Sequence, residues 1–156
     1  MDCKTWFDPH IRKVIDLFSH PVWFILLEQD YTCSCVDHAT KIPNASCQKC
    51  LGTGKKVHLT RVWASNQNTT STYSGINIGH NEKEIVNVYY TKQRTDIKVG
   101  DWVLDANCFD EVVDVYYERS DDNKIVYWRI ETRPIKNNTK QLLSNIDTVL
   151  QKAGYK

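Results

Sequence analysis

The sequence predicts a mainly β fold, a small β-barrel or sandwich with one inserted cysteine loop and a helix at each end, α+β overall. Three observations lead there. Four runs in the second half, at 85–90, 102–104, 111–118 and 125–133, are rich in β-branched and aromatic residues and are bounded by turn formers. Two more such runs, at 22–29 and 57–63, flank a segment that holds four of the six cysteines. Apolar residues recur at helical spacing only towards the two ends of the chain.

Asp8 can cap a helix that opens with Pro9, where proline's missing N–H costs nothing, and runs to about Ser19. Ile11, Val14, Ile15 and Phe18 then form one apolar stripe that must lie on something else, and Pro21 ends the helix. The strand at 22–29 leads into the cysteine loop and the strand at 57–63 leads out, so the loop is an elaborated hairpin on a sheet. Ser120, Asp121, Asp122 and Asn123 supply turn chemistry between the last two strands. Alternation there points Val113, Val115 and Tyr117 inwards, against Val126, Trp128 and Ile130. Asn138 or Thr139 can cap a final helix with Leu142, Leu143, Ile146, Val149 and Leu150 on one side and Gly154 as its stop.

A chain of 156 residues is expected to form a single domain, 1–156, with the loop at 30–56 inserted in the sheet. Residues 65–81 change composition to Ser, Asn, Thr, Gln and Gly and read as an extended polar arm or loop. Such an arm can order on a partner, with Tyr73, Ile76 and Ile78 as its anchors.

The organising stretch is Cys33-Ser-Cys35 followed by Cys47-Gln-Lys-Cys50-Leu-Gly-Thr-Gly54. Two close pairs on facing turns supply four thiolates to a tetrahedral Zn²⁺ with little distortion of the chain. After Cys50 the chain must turn back, and glycines there allow backbone N–H groups to face the sulfurs. The segment therefore reads as a zinc knuckle with Cys33, Cys35, Cys47 and Cys50 as ligands, and His38 and His58 in reserve. The one-residue spacer of Cys33-Ser-Cys35 makes that pair the weaker half. With four thiolates no coordination position stays open for water, so the metal is expected to be structural. Disulfides would need an oxidising compartment, and Met1-Asp2-Cys3-Lys4 does not read as a secretory leader.

Charge excludes some classes of function. Twenty Lys and Arg against nineteen Asp and Glu leave no global field towards nucleic acid or anionic lipid. The longest apolar run, 22–27, is far shorter than a membrane span, so no membrane partner is expected. The five histidines are scattered and no nucleophile sits beside a base, so neither an enzyme nor a small-molecule substrate is expected. Cys3 and Cys108 read as single buried residues.

Taken together, the segment at 25–63, with Cys47-x-x-Cys50-Leu-Gly-Thr-Gly54 as its most specific part, resembles the head-closure or head-to-tail connector proteins of tailed-bacteriophage necks. In those proteins a zinc loop of this type projects from a small β-barrel whose Gly-Asp strand entry corresponds to Gly100-Asp101 here. The resemblance implies a non-enzymatic virion protein, assembled in the host cytoplasm. It would form a homo-oligomeric ring between portal or adaptor proteins and tail proteins and close the DNA-filled head, with contact to packaged DNA left open. The same string also resembles one half-repeat of the zinc domain of DnaJ-type chaperones, which implies a co-chaperone as an alternative. A zinc-ribbon nucleic-acid-binding module is a further alternative, motivated by Lys49, Lys55, Lys56 and Arg61.

Overall fold

Six strands of this chain close on themselves. A computed structural model describes residues 3–71, 84–106, 109–120, 122–135 and 139–152. In order they form α1 (Cys3–Phe18), β1 (His20–Glu28), β2 (Lys56–Ser71), β3 (Glu84–Thr91), β4 (Trp102–Leu104), β5 (Phe109–Arg119), β6 (Ile125–Pro134) and α2 (Thr139–Lys152). The strands follow one another round a closed barrel as β1, β2, β3, β6, β5, β4. Closure comes from the antiparallel pairing of β1 with β4, where Trp23, Phe24 and Ile25 meet Leu104, Val103 and Trp102.

By compactness the chain divides into two units. One comprises Met1–Ile25 and Thr60–Pro134; the other comprises Leu26–Leu59 and Ile135–Lys156. The cysteine loop thus shares its unit with the C-terminal segment, an association that sequence order does not suggest.

In the first unit, paired positions build the core. Phe24 meets Val103 and Tyr89 meets Ile130, and all four are fully buried. A β-bulge between Val112 and Asp114 changes the expected facing of β5. Val112, not Val113, takes the buried place opposite Thr132; Val115 is half-buried opposite Ile130, and Tyr117, expected to face inwards, is exposed opposite Trp128. One extra residue in a strand shifts the alternation by one, which strict period-two reading cannot anticipate.

The core also contains a carboxylate. Asp110 is buried, and its Oδ2 accepts hydrogen bonds from Asn87 Nδ2 at 2.6 Å and from the Thr132 hydroxyl at 2.8 Å. These three side chains join β3, β5 and β6, so the network pins three strands together through groups that cannot be left unpaired cheaply. The turn into β4 is held similarly: Asp101 Oδ2 accepts from the Lys98 N–H at 2.7 Å, and the Val112 N–H donates to the Asp101 carbonyl at 2.8 Å.

Three expectations change. Helix α1 begins at Cys3, so Asp8 and Pro9 lie inside it and do not form its cap; Pro9 leaves the Thr5 carbonyl without its helical donor. Of the stripe Ile11, Val14, Ile15 and Phe18, only Ile15 is buried; α1 packs on β6 through this narrow face. Residues 65–71, expected to belong to a polar arm, complete β2 and pair with β3 from Ser65 opposite Tyr90 to Ser71 opposite Glu84. Their Ser, Asn, Gln and Thr side chains gave no strand signal, but backbone pairing needs no particular side chain. The rest of that arm, including Tyr73, Ile76 and Ile78, lies outside the described residues, as do Cys108 and Gly154.

Replacing Asp110 with Ala leaves the Asn87 amide buried without its acceptor. Asp110→Ala is expected to cost about 2–4 kcal/mol of stability. Urea unfolding followed by tryptophan fluorescence would measure it, and a wild-type midpoint would show that the network does not hold the strands.

Candidate metal centre

Between β1 and β2 the chain builds two facing turns. The first is closed by the Val36 N–H donating to the Cys33 carbonyl at 3.0 Å and by a single antiparallel bridge between Val36 and Pro43. Inside that bridge, Asp37 Oδ1 accepts from the N–H groups of Ala39 and Thr40 at 2.9 and 2.7 Å and from the Thr40 hydroxyl at 3.0 Å. These bonds, those of Thr40 first, hold the Asp37 carboxyl below its usual range. The second turn runs from Cys47 to Gly54, with the Thr53 N–H on the Cys50 carbonyl at 2.9 Å and the Cys33 N–H on the Gly54 carbonyl at 2.8 Å. That last bond ties the two turns together.

Sharp reversal after Cys50 demands positive φ at Leu51, Gly52 and Gly54, at 54°, 82° and 75°. Gly52 has no alternative, since a Cβ there would stand 2.8 Å from the Ala45 carbonyl oxygen. Leu51 is not a glycine, yet it is buried in the left-handed region, a conformation that costs roughly 1–2 kcal/mol and persists only where its surroundings impose it.

The turns bring four sulfurs together. Cys33, Cys35, Cys47 and Cys50 Sγ all lie within 4.8 Å of one another, with 3.9 Å between Cys33 and Cys47 and 3.4 Å between Cys35 and Cys50. A tetrahedron of sulfurs about ~2.3 Å from a central zinc has edges of about 3.8 Å, so the set fits a four-coordinate thiolate-binding metal. Cys33 and Cys50 are buried and the other two half-buried, and none of the four is in a disulfide. His38 is exposed and outside the cluster, and His58 Nε2 lies 3.7 Å from Glu28 Oε2. Neither reserve histidine is needed to complete the set.

Electrostatics divide the sulfurs. The backbone N–H of Cys50, aided by that of Lys49, lowers the Cys47 thiol to about 6. Burial pushes Cys35 up to about 12, with the Cys50 thiol adding to the rise. Burial also raises Cys50, against the N–H groups of Gly54 and Gly52 that face its sulfur. Without metal, ionisation at Cys47 is thus favoured over Cys35 and Cys50. A thiophilic cation would supply the positive charge that lets the remaining sulfurs ionise together.

One contributor had no signal in the sequence. Asn145, on α2, donates from Nδ2 to the Ala45 carbonyl at 2.8 Å and to the Leu51 carbonyl at 3.3 Å. In sequence it is one polar residue in an amphipathic helix, a long way from the cysteines, and nothing in its spacing marks it.

No protein-family model matches the chain, and neither does any curated protein. Among the described residues no helix is long and apolar enough to cross a membrane.

Two outcomes follow from the geometry. Cys50→Ser is expected to abolish stoichiometric metal binding while the β-barrel stays folded, checked by elemental analysis beside the near-ultraviolet dichroism of the barrel aromatics. Metal binding requires thiolates, so protons held by the raised Cys35 and Cys50 must leave. Affinity therefore rises with pH, and it is expected to fall at least about 100-fold for one pH unit of acidification near neutrality, as for release of the protons on Cys35 and Cys50. Competition titration against a chelator across pH 6 to 8 measures the slope, and a flat profile would contradict it.

Proposed function

We propose that this protein is a non-enzymatic structural subunit, stabilised by a thiolate-bound zinc, that works by assembling with copies of itself and with neighbouring rings in the neck of a tailed phage. In this reading it joins portal or adaptor to tail and closes the filled head. The observation that carries the assembly reading is the outer face of α1. Val14, Leu17 and Phe18 are 51%, 76% and 65% exposed, three large apolar side chains on one helix face in the isolated chain. Apolar groups clustered at this exposure are typical of surfaces that a partner covers.

The two faces at the end of the β5–β6 hairpin support the same reading. At the end of the β5–β6 hairpin, Tyr116 and Tyr117 are about half exposed, the Arg129 guanidinium lies 5.6 Å from the Tyr116 ring, and that of Arg119 lies 5.0 Å from the Tyr117 ring. Tyrosine and arginine held in this way are the residue types that dominate protein interfaces. These arginines and tyrosines meet across the strand pair and from residue i to i+2. The Cys-x-x-Cys-Leu-Gly-Thr-Gly resemblance directs the proposal to phage necks, and the closed barrel and four-cysteine loop agree with that architecture.

The nucleic-acid alternative finds less support. Of the basic residues near the cysteines, Lys55 Nζ donates to the Gln29 carbonyl and Lys56 Nζ pairs with Glu28 at 3.0 Å. Glu28 is held below the usual carboxylate range mainly by that lysine. The charge of Lys56, paired in this way, offers little to a phosphate backbone.

Native mass spectrometry before and after a chelator tests the proposal. One metal per chain is expected, with ring-sized oligomers or with monomers that assemble on purified portal complexes. The double variant Leu17→Glu, Phe18→Glu is expected to weaken that assembly at least tenfold without loss of metal. A metal-loaded monomer that ignores portal complexes would overturn the reading.

A further inference from the structure

The second cysteine pair is held by more than its own turn. The Ala45 carbonyl, two residues before Cys47, and the Leu51 carbonyl, directly after Cys50, both accept from one amide, Asn145 Nδ2. Its two acceptors therefore bracket the pair in sequence. The same Ala45 oxygen lies close to Gly52, where a Cβ would approach to 2.8 Å. Leu51, whose carbonyl meets Asn145, is in the left-handed conformation. In isolation that conformation is unfavourable, and it is held by the turn that brings the Cys50 sulfur into the cluster and by the bond to α2. Helix α2 buries Ile146 and Leu150 on the side next to Asn145, while Ser144 and Thr148 are exposed.

We infer that docking of α2 and occupancy of the four-cysteine site are energetically coupled through Asn145, a positioning residue for the Cys47–Cys50 pair; this rests on the reading of that cluster as a metal site. Among the described residues of its unit, α2 is the one regular helix, and a lone helix of its length does not persist in water without something to pack on. The cysteine turns have few apolar residues of their own and depend on the cation to hold four sulfurs together. Each element therefore lacks what the other provides. The metal fixes the turn, the turn presents two carbonyls at fixed separation, and those carbonyls seat the helix. By linkage the effect runs both ways: whatever loosens α2 weakens the metal, and removal of the metal loosens α2 by the same factor. The C-terminal helix is then a metal-dependent element that chelation, or oxidation of the thiolates by a disulfide-forming oxidant, would release.

The test uses the full chain with zinc, and with cobalt(II) as a spectroscopic probe. Hydrogen exchange on the wild-type protein, metal-loaded and chelated, is expected to show at least tenfold faster exchange at 144–150 after chelation, with barrel strands β3 and β6 unchanged. Asn145→Ala and Asn145→Asp are expected to lose about 10- to 100-fold in metal affinity, the range typical of groups that orient metal ligands. Their cobalt bands should keep tetrahedral thiolate character, since all four sulfurs remain. Ser144→Ala, on the exposed side of the helix, is expected to bind like the wild type. A wild-type protein that takes up no stoichiometric metal would overturn the metal reading and this inference with it. Stoichiometric metal, with α2 exchange indifferent to chelation and Asn145→Ala binding as tightly as wild type, would overturn the coupling alone. The exchange measurement needs no variant, so a substitution that unfolds the helix does not remove the test.

Discussion

Pairing of β1 with β4 is the constraint on which the barrel depends. An open six-stranded sheet has two edges with unpaired backbone groups, and joining Trp23–Ile25 to Trp102–Leu104 removes both at once. Strand β4 is only three residues long, so closure is brief and needs fixed approaches on each side. The Asp101 turn fixes one of them by exchanging backbone bonds with Val112, and the bulge beyond Val112 lets β5 continue as a long hairpin with β6. Within the closed barrel, the buried carboxylate of Asp110 is acceptable because Asn87 and Thr132 stand ready to donate to it.

A different economy governs the cysteine loop. Its turns are closed by local bonds, by an Asp37 carboxylate that caps three donors, and by Gly52, where a side chain would strike backbone. Such a segment cannot bury enough apolar surface to offset the entropy of ordering it, and a structural cation is the usual remedy for short segments of this kind. Backbone N–H groups aimed at Cys47 and Cys50 already favour one thiolate, and burial of Cys35 and Cys50 resists further ionisation until a cation is present.

The proposed assembly role places different demands on the two kinds of surface. Large apolar side chains left on α1 and tyrosines stacked by arginine on the β5–β6 hairpin are costly on a chain that works alone and useful on one that is covered. A closed barrel would present the hairpin without rearranging, which lowers the entropy lost on association.

Much of this was legible in the sequence. The strand runs of the second half were located to within one or two residues, because β-branched and aromatic residues bounded by turn formers leave little choice of conformation. The four cysteines were legible for a similar reason: Cys47-x-x-Cys50-Leu-Gly-Thr-Gly54 carries its own turn chemistry, so sulfur spacing and glycine positions agree locally. What remained hidden depends on contacts between residues far apart in the chain. The strand at 65–71 is polar and pairs only because β3 lies beside it. The bulge at Val113 shifts the burial of β5 for reasons that lie in its partner strands. The start of α1 at Cys3 overrides the capping signal of Asp8 and Pro9. Asn145 acquires its role only when α2 meets two carbonyls about a hundred residues earlier. Local chemistry determined which segments extend, turn and gather sulfurs. Only the tertiary structure decided which strands meet, which apolar face stays uncovered and which distant amide holds the cysteine turn, because those outcomes belong to pairs of surfaces and no single stretch of sequence contains both.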